Sequence, residues 1–288
     1  MMYFDLHCDS VSKAYKEKTS LFHKDLALKI NSDKFNKREQ CFALWLDDEL
    51  QGEPAFSYCK KLLKLYKDSE IKLLNGGVAP HLTLENAVSL GGDLNNMTYF
   101  KSQGVIMMSL TWNGENELAS GVNSVGGLKK LGKEAVREME RQGIILDVSH
   151  LNEESFKDLL ALATKPFVAS HSCCYDIYPH RRNLKSWQIK EIIARGGIIG
   201  INFYPTFLGA GKGRVFEKIK ENIELIVSLG GENNVALGSD FDGAKMSKQL
   251  SSADDVLKLY NYLQSSAMSE ELLNKVFYSN AFNFFNSY

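Results

Sequence analysis

The chain has 288 residues, 24% of them charged and 44% hydrophobic, with 22 Gly and only 5 Pro, the values of an ordinary soluble globular protein. Its net charge of -1 excludes a nucleic-acid or membrane-surface role driven by bulk charge, and no basic stripe with interleaved aromatics reverses that. No stretch reaches the roughly 20 apolar residues of a membrane span, and the N-terminus enters a strand without a signal-peptide pattern, so a cytoplasmic protein is expected.

The first element is Tyr3-Phe4-Asp5-Leu6-His7-Cys8-Asp9. Its alternation of Met2, Phe4, Leu6 and Cys8 with Tyr3, Asp5, His7 and Asp9 has the period of a strand, which sets His7 and Asp9 on one face near its C-terminal end. An imidazole and a carboxylate held this way suit zinc, although an edge strand with a polar face carries the same pattern. A helix and a polar loop follow to Arg38, and the apolar run Cys41–Leu46 reads as a strand buried on both faces. Pro54–Tyr66 has helical spacing, His81–Glu85 is a third strand ending in a carboxylate, and Asp93–Gln103 is a helix stopped by Gly104.

Val105–Thr111 is a fourth strand running into Trp112-Asn113-Gly114. Leu128, Leu131, Ala135 and Met139 form an amphipathic stripe ended by Gly143, and Ile144–Ser149 is a fifth strand ending at His150. Asn152 reads as a helix N-cap with Glu153 and Glu154 in the first turn. Pro166–Ser170 is a sixth strand ending at His171, and a helix from Trp187 to Ala194 leads to a seventh, Ile198–Phe203. A helix over Val215–Leu229 precedes an eighth strand, Val235–Gly238, ending at Asp240, and helices near Ala253–Gln264 and Glu270–Phe284 close the chain.

Eight strands alternating with helices imply parallel pairing with right-handed crossovers, and eight such units close into an α/β TIM barrel. An open doubly wound sheet would show a Gly-rich fingerprint after its first strand, and none is present. With no linker, repeat or low-complexity segment, residues 1–288 are expected to form one catalytic domain.

The polar residues fall where such a fold builds its chemistry. His7 with Asp9, Glu85, His150, His171 and Asp240 each sit at the C-terminal end of a predicted strand, and in a barrel those ends converge on one face. Structural histidines would scatter, and His23, His81 and His180 do not occupy such ends. Taken singly, Glu85 has the ordinary reading of a helix cap. Asp93, Glu115 and Glu117 are rival carboxylates that lie in loops or a helix start. The five cysteines, 8, 41, 59, 173 and 174, lack framework spacing and fit reduced thiols, and Cys8, Cys173 and Cys174 read as small apolar fillers.

The chain resembles the membrane (renal-type) dipeptidases and their bacterial relatives, the M19 metallopeptidases. The resemblance runs nearly end to end and rests on Asp5-Leu6-His7-Cys8-Asp9, Glu85 before Leu90-Gly91-Gly92-Asp93-Leu94, and Leu110-Thr111-Trp112-Asn113. It continues through Leu146-Asp147-Val148-Ser149-His150, Ser170-His171-Ser172, Arg181-Arg182-Asn183 and Gly238-Ser239-Asp240-Phe241-Asp242-Gly243. Carried over residue by residue, it implies that His7 and Asp9 bind one zinc, that His150 and His171 bind a second, and that Glu85 bridges them. Arg182 then grips the substrate carboxylate, and Asp240 is the catalytic aspartate. A hydroxide between two zinc ions would attack the peptide carbonyl while Asp240 carries the proton to the leaving amine.

Where animal members carry a His after the Leu-Thr pair, this chain has Trp112, as many bacterial relatives do. An indole donates one hydrogen bond and cannot serve as a base, so substrate contacts on that side are either a single donor or an apolar wall. The implied protein is a zinc dipeptidase acting on small dipeptides, a D-residue at the C-terminal position being among the substrates to consider. It has no nucleic-acid or membrane partner, and a homodimer is consistent with the resemblance. The alternatives are a related two-metal amidohydrolase of N-acyl amino acids and an inactive metal-binding homologue.

Overall fold

The computed structural model describes residues 1–71, 78–211 and 213–288. Eight strands form a closed parallel barrel in chain order: β1 (Met2–Cys8), β2 (Lys37–Trp45), β3 (Val78–Glu85), β4 (Val105–Ser109), β5 (Ile145–Asp147), β6 (Val168–Ser172), β7 (Ile198–Ile201) and β8 (Val235–Leu237). Closure comes from β1 pairing with β8, Asp5 opposite Leu237. The helices are α1 (Ser10–Lys16), α2 (Gly52–Asp68), α3 (Asn95–Ser102), α4 (Lys130–Gln142), α5 (Glu153–Leu160), α6 (Ser186–Ala194), the short α7 (Pro205–Leu208), α8 (Val215–Ser228), α9 (Val256–Ser265), α10 (Glu270–Asn274) and α11 (Asn280–Ser287). This is the (β/α)8 architecture that the alternation of apolar runs predicts.

Two apolar layers hold it. Phe4, Leu6, Cys41, Met107, Ile145, Val168, Ile198 and Ala236 fill the barrel from seven strands, and Ala281 and Phe284 of α11 close its lower end. The larger outer layer lies between the sheet and the helices, with Leu44, Ala135, Met139 and Ile223 among its members. Each large side chain removed from water in this way contributes roughly 1.5–3 kcal/mol before entropy is counted. Helix α4 shows the local logic. Ala135, Val136 and Met139 face the barrel, and Gly143 ends the helix in the left-handed conformation (φ 65°), which a Cβ would disfavour.

The element bounds depart from expectation in instructive places. β2 starts at Lys37, well before the apolar run, because Arg38 and Gln40 are buried although their residue types read as exposed. The Arg38 guanidinium donates to the Lys29 carbonyl (3.1 Å) and to Gln40 Oε1 (2.9 Å) and packs against the Phe35 ring. β6 runs on to Ser172, so His171 lies within the strand and not after it. The helix expected over Glu270–Phe284 is interrupted by a π-helical turn at Lys275–Ser279.

The most consequential departure is in β1. Simple alternation puts Phe4, Leu6 and Cys8 on one face, yet Phe4 and Leu6 point into the barrel while Cys8 joins Tyr3 in the outer layer. The register accounts for this. Asp5 is opposite Gln40 and Cys8 opposite Phe42, so three steps on β1 match two on β2. That is a β-bulge, and bulges re-aim side chains at barrel rims. It delivers His7 to the mouth of the barrel.

Candidate metal centre

At the C-terminal ends of the strands, the expected residues come together. His7 Nε2 lies 3.4 Å from Asp9 Oδ2 and 3.3 Å from Glu85 Oε2. The other Glu85 oxygen, Oε1, lies 2.8 Å from His150 Nε2 and 3.8 Å from His171 Nε2. Glu85 thus divides its two oxygens between His7 on one side and the two histidines on the other. Asp240 joins from the β8 end, and His7, Asp9 and Asp240 offer ligand atoms within 4.8 Å of one another, as do His7, Glu85 and His171.

The ordinary readings of these residues do not describe them. Asp9 stands at the N-cap of α1 but makes no side-chain capping bond. The turn after Glu85 is capped by Asn86, which accepts from the Val88 amide, and not by Glu85. Of the rival carboxylates, Asp93 accepts from Asn95 N in an exposed turn, and Glu115 pairs with Lys129. The five cysteines are free and buried, and burial pushes the Cys173 thiol up to about 12, so none offers a thiolate.

The rings of His150 and His171 are each fixed by their far nitrogen. Ser170 Oγ donates its proton to the Asp147 carboxylate, so it accepts from His171 Nδ1–H, 2.8 Å away. Asn113 Oδ1 accepts from His150 Nδ1–H at 2.9 Å. Both rings therefore keep a bare lone pair at Nε2, the tautomer of a metal ligand. Asp240 is held by Asn202, whose amide donates to Oδ2 at 2.9 Å. His150 and Asp240 have φ of 73° and 62°, left-handed values that cost non-glycine residues roughly 1–3 kcal/mol each and need local support.

The donor set fits a divalent cation of borderline softness. It comprises imidazole nitrogens and carboxylate oxygens, the groups zinc takes. Buried polar atoms are normally satisfied, yet His7 Nε2, Asp9 Oδ1 and Glu85 Oε2 are buried without a hydrogen-bond partner among the described residues. The electrostatics of the protein alone are correspondingly tense. Burial, aided by the charge of Asp9, pushes Glu85 up to about 8 and Asp240 up to about 7. Burial opposes a charge on His7, but Glu85 and Asp9 outweigh it and hold His7 well above the ordinary histidine range. His150 and His171 go the other way, depressed by burial and by the charges of Arg182 and His7.

The centre opens into a cleft of about 600 Å³ walled by Trp45, Trp112, Tyr204 and Phe207, with Lys13 and Lys16 toward α1. Trp112 meets Trp45 edge-on at 5.0 Å, as part of an aromatic wall. Arg182 is buried behind the histidines. Its Nη2 donates to the His171 carbonyl at 3.3 Å, its guanidinium lies over the Phe207 ring, and its Nε has no partner among the described residues. Arg181 instead points outward to Asn123 Oδ1. Sequence reasoning missed Asn113 and Ser170 as supports of the histidines and Asn202 as the support of Asp240. Asn202 directly follows β7, so the strand-end rule that found the others also selects it.

The sequence profile of the membrane dipeptidases, peptidase family M19, matches residues 56–287. The chain belongs to this family. The matched span excludes His7 and Asp9, whose place in the centre rests on the geometry above. An uncharacterized protein in the pqqA 5′ region of Klebsiella pneumoniae is 32% identical over 209 residues, covering 68% of this chain and 77% of that protein. An uncharacterized dipeptidase of Schizosaccharomyces pombe is 30% identical over 178 residues, 59% of this chain and 42% of its own length, so the match spans less than half of that relative. Among solved structures, a metallo peptidase from Rhodobacter sphaeroides, liganded with a phosphinate mimic of the dipeptide L-Ala-D-Ala, superposes with a TM-score of 0.89 at 22% identity over 99% of both chains. A family M19 metallo peptidase, dipeptidase AC, gives 0.90 at 23% identity, covering 98% of this chain and 97% of its own. At these identities the likeness is one of fold.

Proposed function

We propose that this M19 chain is a zinc-dependent dipeptidase that hydrolyses the single peptide bond of a dipeptide with a free C-terminal carboxylate. The observation that carries the reading is the pair of bare Nε2 atoms of His150 and His171, 2.9 Å apart beside a Glu85 oxygen. With both protons fixed at Nδ1, that approach lacks a donor, and a cation supplies what is missing. His7 and Asp9 would hold one zinc and His150 and His171 a second, with Glu85 between them, as the division of its oxygens suggests. Bound there, zinc would supply Lewis acidity at the scissile carbonyl and make a water acidic enough to attack near neutral pH.

The remaining work falls to the chain. Asp240, held by Asn202 within reach of His7 and Asp9, would take the proton from the attacking water and deliver it to the leaving amine. Arg182, with an unpartnered Nε, would receive the substrate carboxylate through two parallel hydrogen bonds. Trp112 and Trp45 would pack against the substrate side chains. A carboxylate grip close to the centre would direct cleavage to the bond next to the C-terminal residue, and a small site that excludes longer chains would then leave dipeptides.

The test is metal analysis of the purified protein together with turnover of a dipeptide panel. The panel includes L,D pairs, because the Rhodobacter sphaeroides relative is liganded with such a mimic. Two zinc ions per chain with dipeptide hydrolysis supports the reading. Faster turnover of N-acyl amino acids than of any dipeptide would replace it with an amidohydrolase.

A further inference from the structure

Two aspartates, Asp5 and Asp147, are neither ligands nor proton carriers in the reading above, yet each is buried, at 0% and 4% exposure, and bonded to residues that adjoin the centre. Their hydrogen bonds follow one plan. Asp5 accepts from the amide of His7, two residues ahead (3.3 Å), and from both the amide (2.8 Å) and the hydroxyl (2.6 Å) of Ser239 on the neighbouring β8 segment. Asp147 accepts from the amide of Ser149, two residues ahead (2.9 Å), and from both the amide (3.0 Å) and the hydroxyl of Ser170 on the neighbouring β6. In each case the gripped serine immediately precedes a residue of the centre, Ser239 before Asp240 and Ser170 before His171. Each aspartate also holds a backbone amide just ahead of a left-handed non-glycine residue, Ser239 before Asp240 and Ser149 before His150.

We infer that Asp5 and Asp147 are the positioning residues of the centre, a pair of equivalent clamps that fix His7, Asp240, His150 and His171 by holding Ser239 and Ser170. A left-handed aspartate or histidine persists only where the surrounding bonds over-determine it, and three bonds to a single buried carboxylate do that. The second clamp also acts on chemistry. By consuming the Ser170 hydroxyl proton, Asp147 makes Ser170 an acceptor and so fixes which nitrogen of His171 is free. Asp5 has no such relay, and its effect passes through the backbone to the direction of the Asp240 carboxylate. The Asp147 clamp therefore acts on the His150–His171 side, and the Asp5 clamp acts on His7 and on the proton carrier Asp240 together.

The inference rests on the metal-centre reading, and the experiment separates the two. Zinc affinity is measured by competition with a chromophoric chelator, alongside kcat, KM and Tm, for the wild type, Ser170→Ala, Ser170→Thr and Ser239→Ala. The two alanine variants remove only a hydroxyl, so they remain informative where Asp5→Asn or Asp147→Asn fails to fold. Ser170→Ala is expected to weaken one zinc site by about 10- to 100-fold, and Ser170→Thr to restore it. Ser239→Ala is expected to lower kcat at least about 10-fold with KM unchanged, and any loss of zinc affinity is expected at the His7–Asp9 side, whose His7 carbonyl accepts from the Ser239 hydroxyl. A fall in Tm with unaltered zinc affinity and kcat in these variants overturns the clamps alone. A wild type that takes up no divalent metal overturns the metal-centre reading and the clamps with it.

Discussion

His150 and His171 face each other through their Nε2 atoms at 2.9 Å, while Asn113 and Ser170 hold both Nδ1 protons. Two neutral rings so arranged repel, and protonating either is opposed by burial and by the charges of Arg182 and His7. A cation shared between them would remove the conflict, so the fold is expected to be more stable with metal than without. Ligand binding to the native state stabilises it by about 4 kcal/mol at a thousand times Kd. Chelation is therefore expected to lower Tm by roughly 8 °C, with recovery on adding zinc. Equal Tm in chelator and in zinc would argue against the centre.

The same groups set a pH dependence of the metal-free chain. Glu85 at about 8 and Asp240 at about 7 lie above their unfolded values, so above pH 4.5 the folded chain binds more protons than the unfolded one. The stability from these groups is lost as pH rises toward 8. The depressed His150 and His171 contribute oppositely, but only below their unfolded value near 6.5. The raised His7 adds to the loss above that point. From pH 6.5 to 8.5 nothing in the centre offsets the decline, so the Tm of the metal-free protein should fall by about 5 °C or more. Metal binding displaces those protons, and the gap between zinc-loaded and chelated Tm should widen with pH. A gap that narrows would reverse the assigned shifts.

Asp240→Asn separates ligand from proton carrier. Asn keeps the shape and the contact with Asn202 but cannot carry a proton, so kcat is expected to fall by about 10²- to 10⁴-fold with zinc content intact. Because Asp240 lies within ligand distance of His7 and Asp9, metal analysis of the variant decides the matter. Loss of one zinc ion would make Asp240 a ligand.

How legible all this was in sequence depends on the interaction. Eight apolar runs with helical spacers announce a barrel, since burial on both faces and an amphipathic stripe leave distinct periods. His7, Glu85, His150, His171 and Asp240 were legible because a barrel gives special meaning to polar residues at strand ends. The β1 bulge was not, since a one-residue slip leaves alternation intact on either side and shows only in the pairing of Asp5 and Cys8 with β2. Arg38 was hidden because its burial depends on the Lys29 carbonyl, a backbone atom with no sequence signature. The clamps on Ser170 and Ser239 join positions 23 and 234 residues apart, and no local pattern connects them.

Arg182→Ala tests the carboxylate grip. A charge-assisted hydrogen bond contributes about 1.5–3 kcal/mol, so KM for dipeptides should rise by roughly 10- to 100-fold. The preference for a free C-terminus over an amide should shrink with it. Arg181→Ala, at the outward-pointing neighbour, is expected to leave KM unchanged. If the two variants behave alike, the substrate carboxylate lies elsewhere.

Gly243 is the point where space, not flexibility, decides. A Cβ at this position would fall on Asp9 Oδ2 and press against Asp240 Oδ1. Its backbone φ is not in the left-handed region, so alanine there meets no intrinsic backbone penalty. The two carboxylates approach each other over a residue that must lack a side chain. Gly243→Ala should therefore leave most of the fold intact, because the residue lies at the exposed mouth of the cleft. It should displace Asp9 and Asp240 together, weakening zinc binding at the His7–Asp9 side and lowering kcat at least about 100-fold, of the order found when a catalytic proton carrier is lost. The His150–His171 side, whose ligands are not among the atoms that a Cβ at Gly243 would meet first, should keep its metal, so titration with zinc is expected to show one tight and one weakened site. Two unaltered sites with full activity would mean that the loop yields to the methyl group and that the close approach of Asp9 to Asp240 is not required.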